Sequence, residues 1–426
     1  MRQDSFRMLA VVLAFALTPA ALAGPNFEVL YNFSGGSDGG LVASFPVLDS
    51  QGNLYGVTYW GGTGGGCETN GCGVVFEVKQ ANGQWGESVL LDFTTETAGA
   101  SRSGLLLDQQ GNIFGATAAQ APGGSEPVFE LRPINGGWNY AKIYGGPGCC
   151  LTLGAADHLY GVLGVGPYLE GSIAELSPQS NGWAYVPFHP FGGDDGKNGY
   201  DPIAPLALDA RGDLYGTTYF GGGIGLPNCI QGLGCGVAFE LSYSPAPSST
   251  EGLWTYHVIH RFASTPTDGQ NPNGGLTLDA QGNAYGTTPV GGSACLPVGC
   301  GTVFKLTALI GAPGIWEETI LYDFPAVPAC SQGCAPAFNL VFDRAGNLYG
   351  VADGGSNSCA GTCGVVFKLT PQPNGQWSYS TLHEFGGADG ANPLGLAIDA
   401  NGNLFGTTET GGTYNRGVVF EIQLAQ

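Results

Sequence analysis

The 426-residue sequence is poor in charge, and above all in basic residues. Charged residues make up 11% of the chain, with Lys and Arg totalling 13 against 34 Asp and Glu, so the formal net charge is −21. Nucleic acids and anionic membranes are bound through basic surface, and the composition therefore argues against both as partners. The acidic balance permits cation binding, or it serves solubility alone.

Long apolar runs are also lacking, which argues against membrane insertion. Beyond the N-terminal region, no segment reaches about 18 uninterrupted apolar residues, the length of a membrane helix. The N-terminal region has a basic start at Arg2 and Arg7, an apolar stretch at residues 8–17 and small residues at 21–23. This predicts a secretory signal peptide over residues 1–23. The mature chain, residues 24–426, is then expected to be extracellular, periplasmic or on the cell surface.

Signatures of common enzymes are scarce. Neither a His-Glu-x-x-His string nor a P-loop is present. His189, His260 and His383 share one position of a repeat described below, where Tyr31 and Tyr322 also lie. A position that repeats along the chain indicates a structural role, so the sequence favours a protein that is not an enzyme.

Twelve cysteines are present, and they form six close pairs without Cys-x2-Cys metal-site spacing. Close pairing in an exported chain favours disulfides over free thiols or metal ligands. Such short loops remove little chain entropy, so each bridge is expected mainly to pin a surface loop. The adjacent pair either forms a strained vicinal bridge or each thiol pairs elsewhere. The predicted disulfide cysteines are Cys67 and Cys72, Cys149 and Cys150, Cys229 and Cys235, Cys295 and Cys300, Cys330 and Cys334, and Cys359 and Cys363.

One sequence unit recurs seven times, with a mean period of about 58 residues. Its core reads Gly-Asn-Leu-Tyr-Gly, among four short apolar runs bounded by Gly and Asp, which is the pattern of strands. The 75 glycines imply many turns. Copies of the core lie at residues 52–56, 111–115, 157–161, 212–216, 282–286, 346–350 and 402–406.

The two ends of the repeat array complement each other. Residues 27–33 match the outermost run of the other units, whereas residues 418–422 match the third run. The sequence therefore predicts an all-β, seven-bladed β-propeller with four antiparallel strands per blade, whose N-terminal strand closes the last blade. A closed ring leaves no open sheet edge, whereas an open stack would need capping units. We expect a monomer.

The third unit departs most from the others. Gly154 replaces the Asp of the first hairpin turn, Asp157 replaces its Gly, and Ala174 replaces a Phe that the other six units share. We expect this blade to be the least stable locally.

The unit resembles that of a known tandem-repeat family, the GloVer (Gloeobacter/Verrucomicrobia-type) repeat proteins. Their unit runs Asp-Gly-x-x-Pro, Leu-x-x-Asp-x-x-Gly-Asn-Leu-Tyr-Gly-Thr-Thr, Gly-Gly and Gly-x-Val-Phe-x-Leu. Residues 389–393, 399–408, 411–412 and 417–422 follow it. The likeness extends over nearly all of the mature chain. It implies a secreted or surface protein of bacteria, and it supplies no catalytic residues.

Two variable elements are expected on one face of the propeller. These are the connections between blades, which contain Asp-Gly pairs, and the cysteine-containing Gly-Gly loops between the second and third strands. Long, varied loops on a rigid scaffold are where function usually resides, although the staples alternatively serve only to resist proteolysis. The candidate ligand-binding carboxylates are Asp38, Asp195, Asp268 and Asp389.

A sugar and a calcium ion are two further candidate ligands of this face. The aromatic residues that follow the second strand either stack on sugars or pack under the long loops; they are Tyr59, Trp60, Tyr219 and Phe220. Calcium is the one candidate cofactor, although the EF-hand pattern is absent. Its candidate ligands are Asp194, Asp195, Asn198 and Asp201.

Two functions remain open. The favoured one is an exported, non-catalytic binding or surface-structural protein whose ligand is a glycan or a protein. The alternative is a secreted carbohydrate-active or lactone-hydrolysing enzyme, with Asp-Gly carboxylates around the channel mouth. That enzyme requires two carboxylates within about 5–10 Å of each other in a cleft. The fold alone cannot choose, because propellers host many unrelated functions.

Overall fold

The computed structural model describes residues 25–424, apart from several short segments. The predicted signal peptide lies outside the described residues and stays a prediction. The segments left out within the range are residues 66, 68–69, 96, 98–103, 118–126, 147, 164–170, 192–196, 224–228, 230–232, 245–252, 264, 266, 296–298, 313, 327–332 and 355–362.

Seven antiparallel sheets form a seven-bladed β-propeller, which confirms the predicted fold. The chain opens with β1 (Asn26–Asn32), the rim strand of the seventh blade. The first blade contains β2 (Gly40–Val42) and β3 (Val47–Leu48), which both pair with β4 (Leu54–Trp60), then β5 (Val74–Ala81) and the rim strand β6 (Gln84–Asp92). The second contains β7 (Leu106–Leu107), β8 (Ile113–Ala116), β9 (Val128–Ile134) and β10 (Gly137–Tyr144).

The next three blades keep the same order from channel to rim. The third contains β11 (Gly148–Leu153), a 3-10 turn (Ala155–Asp157), β12 (Leu159–Leu163), β13 (Ser172–Gln179) and β14 (Gly182–Pro190). The fourth contains β15 (Ala207–Leu208), β16 (Leu214–Thr218), β17 (Val237–Ser244) and β18 (Leu253–Arg261). The fifth contains a short ribbon of β19 (Gly269–Gln270) and β22 (Val290–Gly291), and the sheet β20 (Thr277–Leu278), β21 (Ala284–Thr288), β23 (Thr302–Ala308) and β24 (Trp316–Asp323).

The last two blades complete the ring. The sixth contains β25 (Pro336–Phe342), β26 (Leu348–Ala352), β27 (Val365–Pro371) and β28 (Trp377–Glu384). The seventh contains β29 (Ala391–Ile398), β30 (Leu404–Thr410) and β31 (Val418–Gln423). Strand β1 pairs antiparallel with β31, with Val29 opposite Phe420, so the two ends of the array share one blade as predicted.

The Asp of each first hairpin turn organises the turn through its carboxylate. Asp279 accepts hydrogen bonds from Gln281 N at 2.9 Å, Asn283 N at 2.9 Å, Asn283 Nδ2 at 2.6 Å and Tyr285 OH at 2.9 Å. Burial disfavours the charged carboxylate, but the hydrogen bonds from Asn283, Tyr285 and Gln281 outweigh it and lower the pKa of Asp279. Because Asp49 and Asp343 bond their turns and tyrosines in the same way, the repeat is a scaffold motif.

The glycine that ends each Gly-Asn-Leu-Tyr-Gly core makes room for a phenylalanine on the next strand. A Cβ on Gly216 would lie 2.5 Å from Phe239 Cζ, and one on Gly350 would lie 2.5 Å from Phe367 Cζ. Both rings are fully buried. The apolar core lies between adjacent blades, since each cluster of buried residues draws on two neighbouring sheets.

The third blade lacks both of these devices. Its turn runs through Ala156 and Asp157, which have φ of 54° and 60°. Gly161 pairs with Ala174 instead of a phenylalanine. A contact between His158 Nδ1 and Glu175 Oε1 lies where the other blades have an Asp-based turn. The expected low local stability of this blade stays a prediction.

Among the described residues, no helix has the length and apolar character needed to cross a membrane.

Candidate functional site

The connections between blades and the loops between second and third strands lie on one face, as predicted. Gly62 N donates to Gly36 O at 2.8 Å, and Gly292 N donates to Asp268 O at 2.9 Å. In both cases a loop between strands binds the connection that precedes its blade. We call this side the stapled face, because the disulfides lie on it. The opposite side, which contains the Asp-based hairpin turns, is called the turn face.

Three of the predicted disulfides are present on the stapled face, and two further cysteines are also bonded. The three pairs are Cys67–Cys72, Cys229–Cys235 and Cys295–Cys300. Cys334 and Cys363 are disulfide-bonded as well. Their predicted partners, Cys330 and Cys359, lie outside the described residues.

Cys149 and Cys150 differ from the other cysteines, because both are free thiols. The prediction that they are disulfide-bonded is therefore wrong for this structure. Consecutive Cα atoms are about 3.8 Å apart, whereas disulfides usually span about 4.4–6.8 Å, so a vicinal bridge would be strained. The thiol contact with Cys149 and burial together raise the pKa of Cys150 well above its ordinary value.

The Asp-Gly carboxylates turn towards the rim of the propeller and towards their own turns. Asp38 accepts hydrogen bonds from Ser34 N at 2.8 Å and from Tyr31 OH at 3.0 Å. Asp389 accepts from His383 Nε2 at 2.8 Å and from Gly386 N at 2.7 Å. Since Tyr31 and His383 lie on rim strands, neither carboxylate is placed at the channel mouth.

The electrostatics of Asp389 follow from these contacts. Burial disfavours its charged form, but the hydrogen bonds from His383 and Gly386 outweigh burial and lower its pKa. Asp268 is 1% exposed and lies 3.2 Å from His260 Nε2. Burial, with Asp268 beside it, raises the pKa of Glu318 to about 9.

The connection before the fourth blade corresponds to that of the fifth blade through different residues than the sequence predicted. A Cβ on Gly199 would lie 2.3 Å from Thr218 Oγ1, as a Cβ on Gly269 would from Thr288 Oγ1. Asn198–Gly199 therefore occupies the place that Asp268–Gly269 has in the fifth blade. Asp195, predicted as the equivalent of Asp268, lies outside the described residues.

The predicted calcium ligands are only partly described, because Asp194 and Asp195 lie outside the described residues. Asn198 O accepts a hydrogen bond from Tyr256 OH. Asp201 has a φ of 61°, and burial raises the pKa of its carboxyl. This calcium site stays a prediction.

The four predicted aromatic ligands divide into two pairs. Phe220 stacks on Tyr200 at 5.5 Å, and Tyr219 meets Phe220 edge-on at 4.7 Å, so this pair packs within its loop. Tyr59 and Trp60 are half-buried, with ring centroids 6.3 Å apart. Of the four, Trp60 lines a cleft.

The Trp60 cleft has a volume of about 170 Å³ and lies where the seventh and first blades meet. Arg416 lies over the Trp60 ring, with its guanidinium carbon 5.5 Å from the ring centroid. Asn70 and Gly71, which lie between the staple cysteines Cys67 and Cys72, form one wall. The remaining lining residues are Gly35, Gly36, Gly61 and Gly62.

Arg416 is the functional candidate that the sequence reasoning missed. It directly precedes Gly417, which has a φ of 92°. Cys72, Cys235, Cys300 and Cys363 directly precede the corresponding positive-φ glycines of other blades. Arg416 therefore stands where four blades have a buried staple cysteine, and this break in the repeat was the signal available in the sequence.

A small cavity at the centre of the ring holds about 80 Å³. It is lined by residues of the inner strands and of the segments that lead into them, among them Phe45, Cys150 and Phe338. Asn273 Oδ1 and Asn339 Oδ1 are buried there and accept no hydrogen bond from the described residues. None of the described residues that line it is a carboxylate.

A larger cleft of about 370 Å³ lies on the turn face between the sixth and seventh blades. Asp343, Asn347 and Tyr349 line it and are bonded to one another as scaffold. These contacts recur in other blades, so the three residues have a scaffold role.

One string in the chain matches the Gly-x-Ser-x-Gly pattern of serine hydrolases, at residues 35–39. In the structure it is a connection between blades, in which Gly39 N donates to Gly36 O at 3.2 Å. The chain continues into β2, so the strand–turn–helix context of a nucleophile elbow is missing.

The fold and the recurring turn define a seven-bladed repeat propeller. The Gloeobacter/Verrucomicrobia repeat family matches residues 233–426. This match confirms the resemblance noted from the sequence. No curated protein matches the chain in sequence.

Solved structures resemble the chain only distantly. The polysaccharide lyase Uly1 is 10% identical, with a TM-score of 0.49, over 96% of this chain and 94% of that one. An oxidoreductase (glucose dehydrogenase) of Thermus thermophilus is 14% identical, with a TM-score of 0.44, over 94% and 100%. A Lactobacillus plantarum protein is 9% identical, with a TM-score of 0.47, over 85% and 94%. Likenesses this low support no argument about function.

Proposed function

We propose that this protein is an exported, non-catalytic propeller that binds a glycan with acidic sugars in the Trp60 cleft. The observation that carries the proposal is Arg416, which lines a cleft on a chain of net charge −21. Within the described residues, no carboxylate lies at ion-pair distance from its guanidinium.

The lining suits an acidic sugar. A guanidinium binds a carboxylate through two parallel hydrogen bonds, which favours the carboxylate of a sugar acid over a neutral sugar. Trp60 supplies an aromatic wall, and apolar sugar faces pack on such rings. Glycine backbone on the other walls leaves peptide groups open to hydroxyls. At about 170 Å³ the cleft is smaller than the ~300–1,000 Å³ pockets that enclose drug-sized ligands, so it fits one residue of a longer chain.

Export is part of the proposal. The predicted signal peptide and the disulfides both favour an oxidising compartment, where a polysaccharide or a cell surface would be met. Pinning the Cys67–Cys72 loop keeps Asn70 and Gly71 in place as a wall of the cleft. Such preorganisation lowers the entropic cost of binding.

The test is a glycan array on the purified mature chain, followed by affinity electrophoresis in gels containing a polyuronate or a neutral polysaccharide. We expect the polyuronate to retard the wild type. The apparent affinity of Arg416→Gln should be at least about tenfold lower, because a hydrogen bond to a charged group is worth about 1.5–3 kcal/mol. Arg344→Gln is the matched control, since Arg344 is an exposed arginine on the turn face. Equal retardation of wild type and Arg416→Gln, or retardation by neutral polymers alone, would refute the proposal.

A further inference from the structure

Three side chains of metal-binding type converge at the rim between the fourth and fifth blades. His260 lies on β18, Asp268 lies in the connection between the two blades, and Glu318 lies on β24. The potential ligand atoms of the three residues all lie within 4.8 Å of one another. In the part of the chain that the structure describes, no other group of His, Cys, Asp and Glu meets this condition.

The group is buried and incompletely bonded. The side chains of His260, Asp268 and Glu318 are 12%, 0% and 15% exposed. Glu318 Oε1 is buried and accepts no hydrogen bond from the described residues. Two ionised carboxylates held together away from water repel each other, so either a proton on one of them or a cation between them relieves the repulsion.

Glu318 occupies a rim position, six residues before a buried Phe, whose residue differs between seams. At four other seams this position holds an aromatic ring stacked on the preceding blade. At the seam of the seventh and first blades it holds Glu87, but there Tyr31 takes the place of the histidine. Tyr379 stacks on Tyr322 at 4.3 Å, and Phe27 stacks on His383 at 3.6 Å. The seam of Phe27 also has the His–Asp pair, as His383 and Asp389, but not the third ligand. Glu318 thus replaces a stacking ring at a seam where a histidine and a buried aspartate are already paired.

The distances suit a small divalent ion. His260 Nε2 lies 3.2 Å from Asp268 Oδ2 and 3.6 Å from Glu318 Oε1. Zinc binds His nitrogen and carboxylate oxygen at about 2.0–2.2 Å, so the ligands on a tetrahedral ion lie about 3.3–3.5 Å apart. One imidazole with two carboxylates favours zinc over calcium, which takes six to eight oxygens.

We propose that His260, Asp268 and Glu318 bind one Zn²⁺-like divalent transition-metal ion that joins the fourth and fifth blades at the rim. The ion neutralises the two carboxylates and ties together three segments: two rim strands and the connection between them. The proposal is independent of the Trp60 cleft, which lies at the seam of the seventh and first blades.

The test uses the mature full-length chain, stripped with a chelator and then dialysed against Zn²⁺. Elemental analysis is expected to give one tightly held ion per chain, and chelation is expected to lower Tm. Glu318→Tyr introduces the aromatic ring that four other seams have, so it should fold while losing the ion and the response of Tm to the chelator. A second variant, His260→Tyr, introduces the residue that the next blade has at the equivalent position, Tyr322. It should also fold, lose the ion and lose the response of Tm to the chelator.

The matched control is Asp389→Asn, which alters the His–Asp pair at the seam of Phe27 and should keep the zinc. The proposal is overturned if the wild-type chain retains no Zn²⁺, or if folded Glu318→Tyr retains as much as the wild type. It is also overturned if Asp389→Asn releases the ion to the same extent as the Glu318 variant.

Discussion

The two faces of the propeller are built on the same strands, but their residues recur from blade to blade on one face and vary on the other. On the turn face the same contacts recur from blade to blade, with Asp, Asn and Tyr bonded in one pattern at Asp49, Asp279 and Asp343. On the stapled face the residue before one recurring glycine is a buried cysteine in several blades and Arg416 in the last. A residue recurs where packing and turn geometry require it. Where they do not, the sequences of the blades differ, and the candidate sites lie at these variable positions.

The largest effect is expected from the scaffold beneath both faces. Phe239→Ala removes a fully buried ring that packs over Gly216. We expect it to lower the free energy of unfolding by about 3–5 kcal/mol, because it opens a cavity in a close-packed core. Chemical denaturation measures the change. In the third blade Ala174 already occupies this position, so we expect hydrogen exchange to show that this blade unfolds first. Equal protection of all seven blades would contradict a stabilising role for the buried phenylalanine.

A smaller effect is expected from a single turn. Asp279→Ala removes an acceptor of four hydrogen bonds, from Gln281 N, Asn283 N, Asn283 Nδ2 and Tyr285 OH. Because hydrogen bonds to a charged group are stronger than average, we expect a loss of about 1.5–3 kcal/mol by denaturation. The depressed pKa of Asp279 means that this stabilisation is present at neutral pH and is lost on acidification. A loss that does not shrink on acidification would contradict this.

The stapled loop should affect global stability less and local order more. The double variant Cys67→Ser, Cys72→Ser opens a loop of only a few residues, and we expect a loss of about 2 kcal/mol or less. Limited proteolysis should nevertheless cut between residues 61 and 73 much faster than in the wild type. Unchanged cutting in a variant shown to lack the bridge would mean that the staple does not order this loop.

The smallest effect concerns the rim between the seventh and first blades, where Glu87 lies near Asp38. Burial first, and the charge of Asp38 second, raise the pKa of Glu87 to about 7. The folded state therefore holds a proton that the unfolded chain releases near pH 4.5, so this group destabilises the fold as pH rises from about 4.5 to 7. Discounted for partial exposure, the change is on the order of 1 kcal/mol. Glu87→Gln should flatten this part of the stability profile, and a profile with unchanged slope would show that Glu87 does not titrate there.

The fold was largely predictable from the sequence, because the features that repeat are those that packing requires. Gly216 with Phe239, and Asp279 with Asn283 and Tyr285, are local devices that recur in most copies. The closure of the ring could also be predicted, since residues 27–33 supply the run that the last unit lacks. Those inferences needed only the order of the runs within the repeat unit and a comparison of the two ends of the array.

The site was less predictable, because it depends on contacts between different units. Arg416 and Trp60 are 356 positions apart and meet only when the ring closes. Glu318 is significant only because the preceding blade presents His260 and Asp268. In the fourth blade the prediction followed the Asp-Gly pair at Asp195, whereas the close approach of Gly199 to Thr218 sets the register.

The most direct test of the difference between the faces is hydroxyl-radical footprinting of the mature chain with and without a bound oligouronate. We expect protection of Trp60 and Arg416, with no change at the segments that form the hairpin turns around Asp279, Asp343 and Asp399. Protection of the turn face, with the Trp60 cleft unaffected, would contradict the assignment of binding to the stapled face.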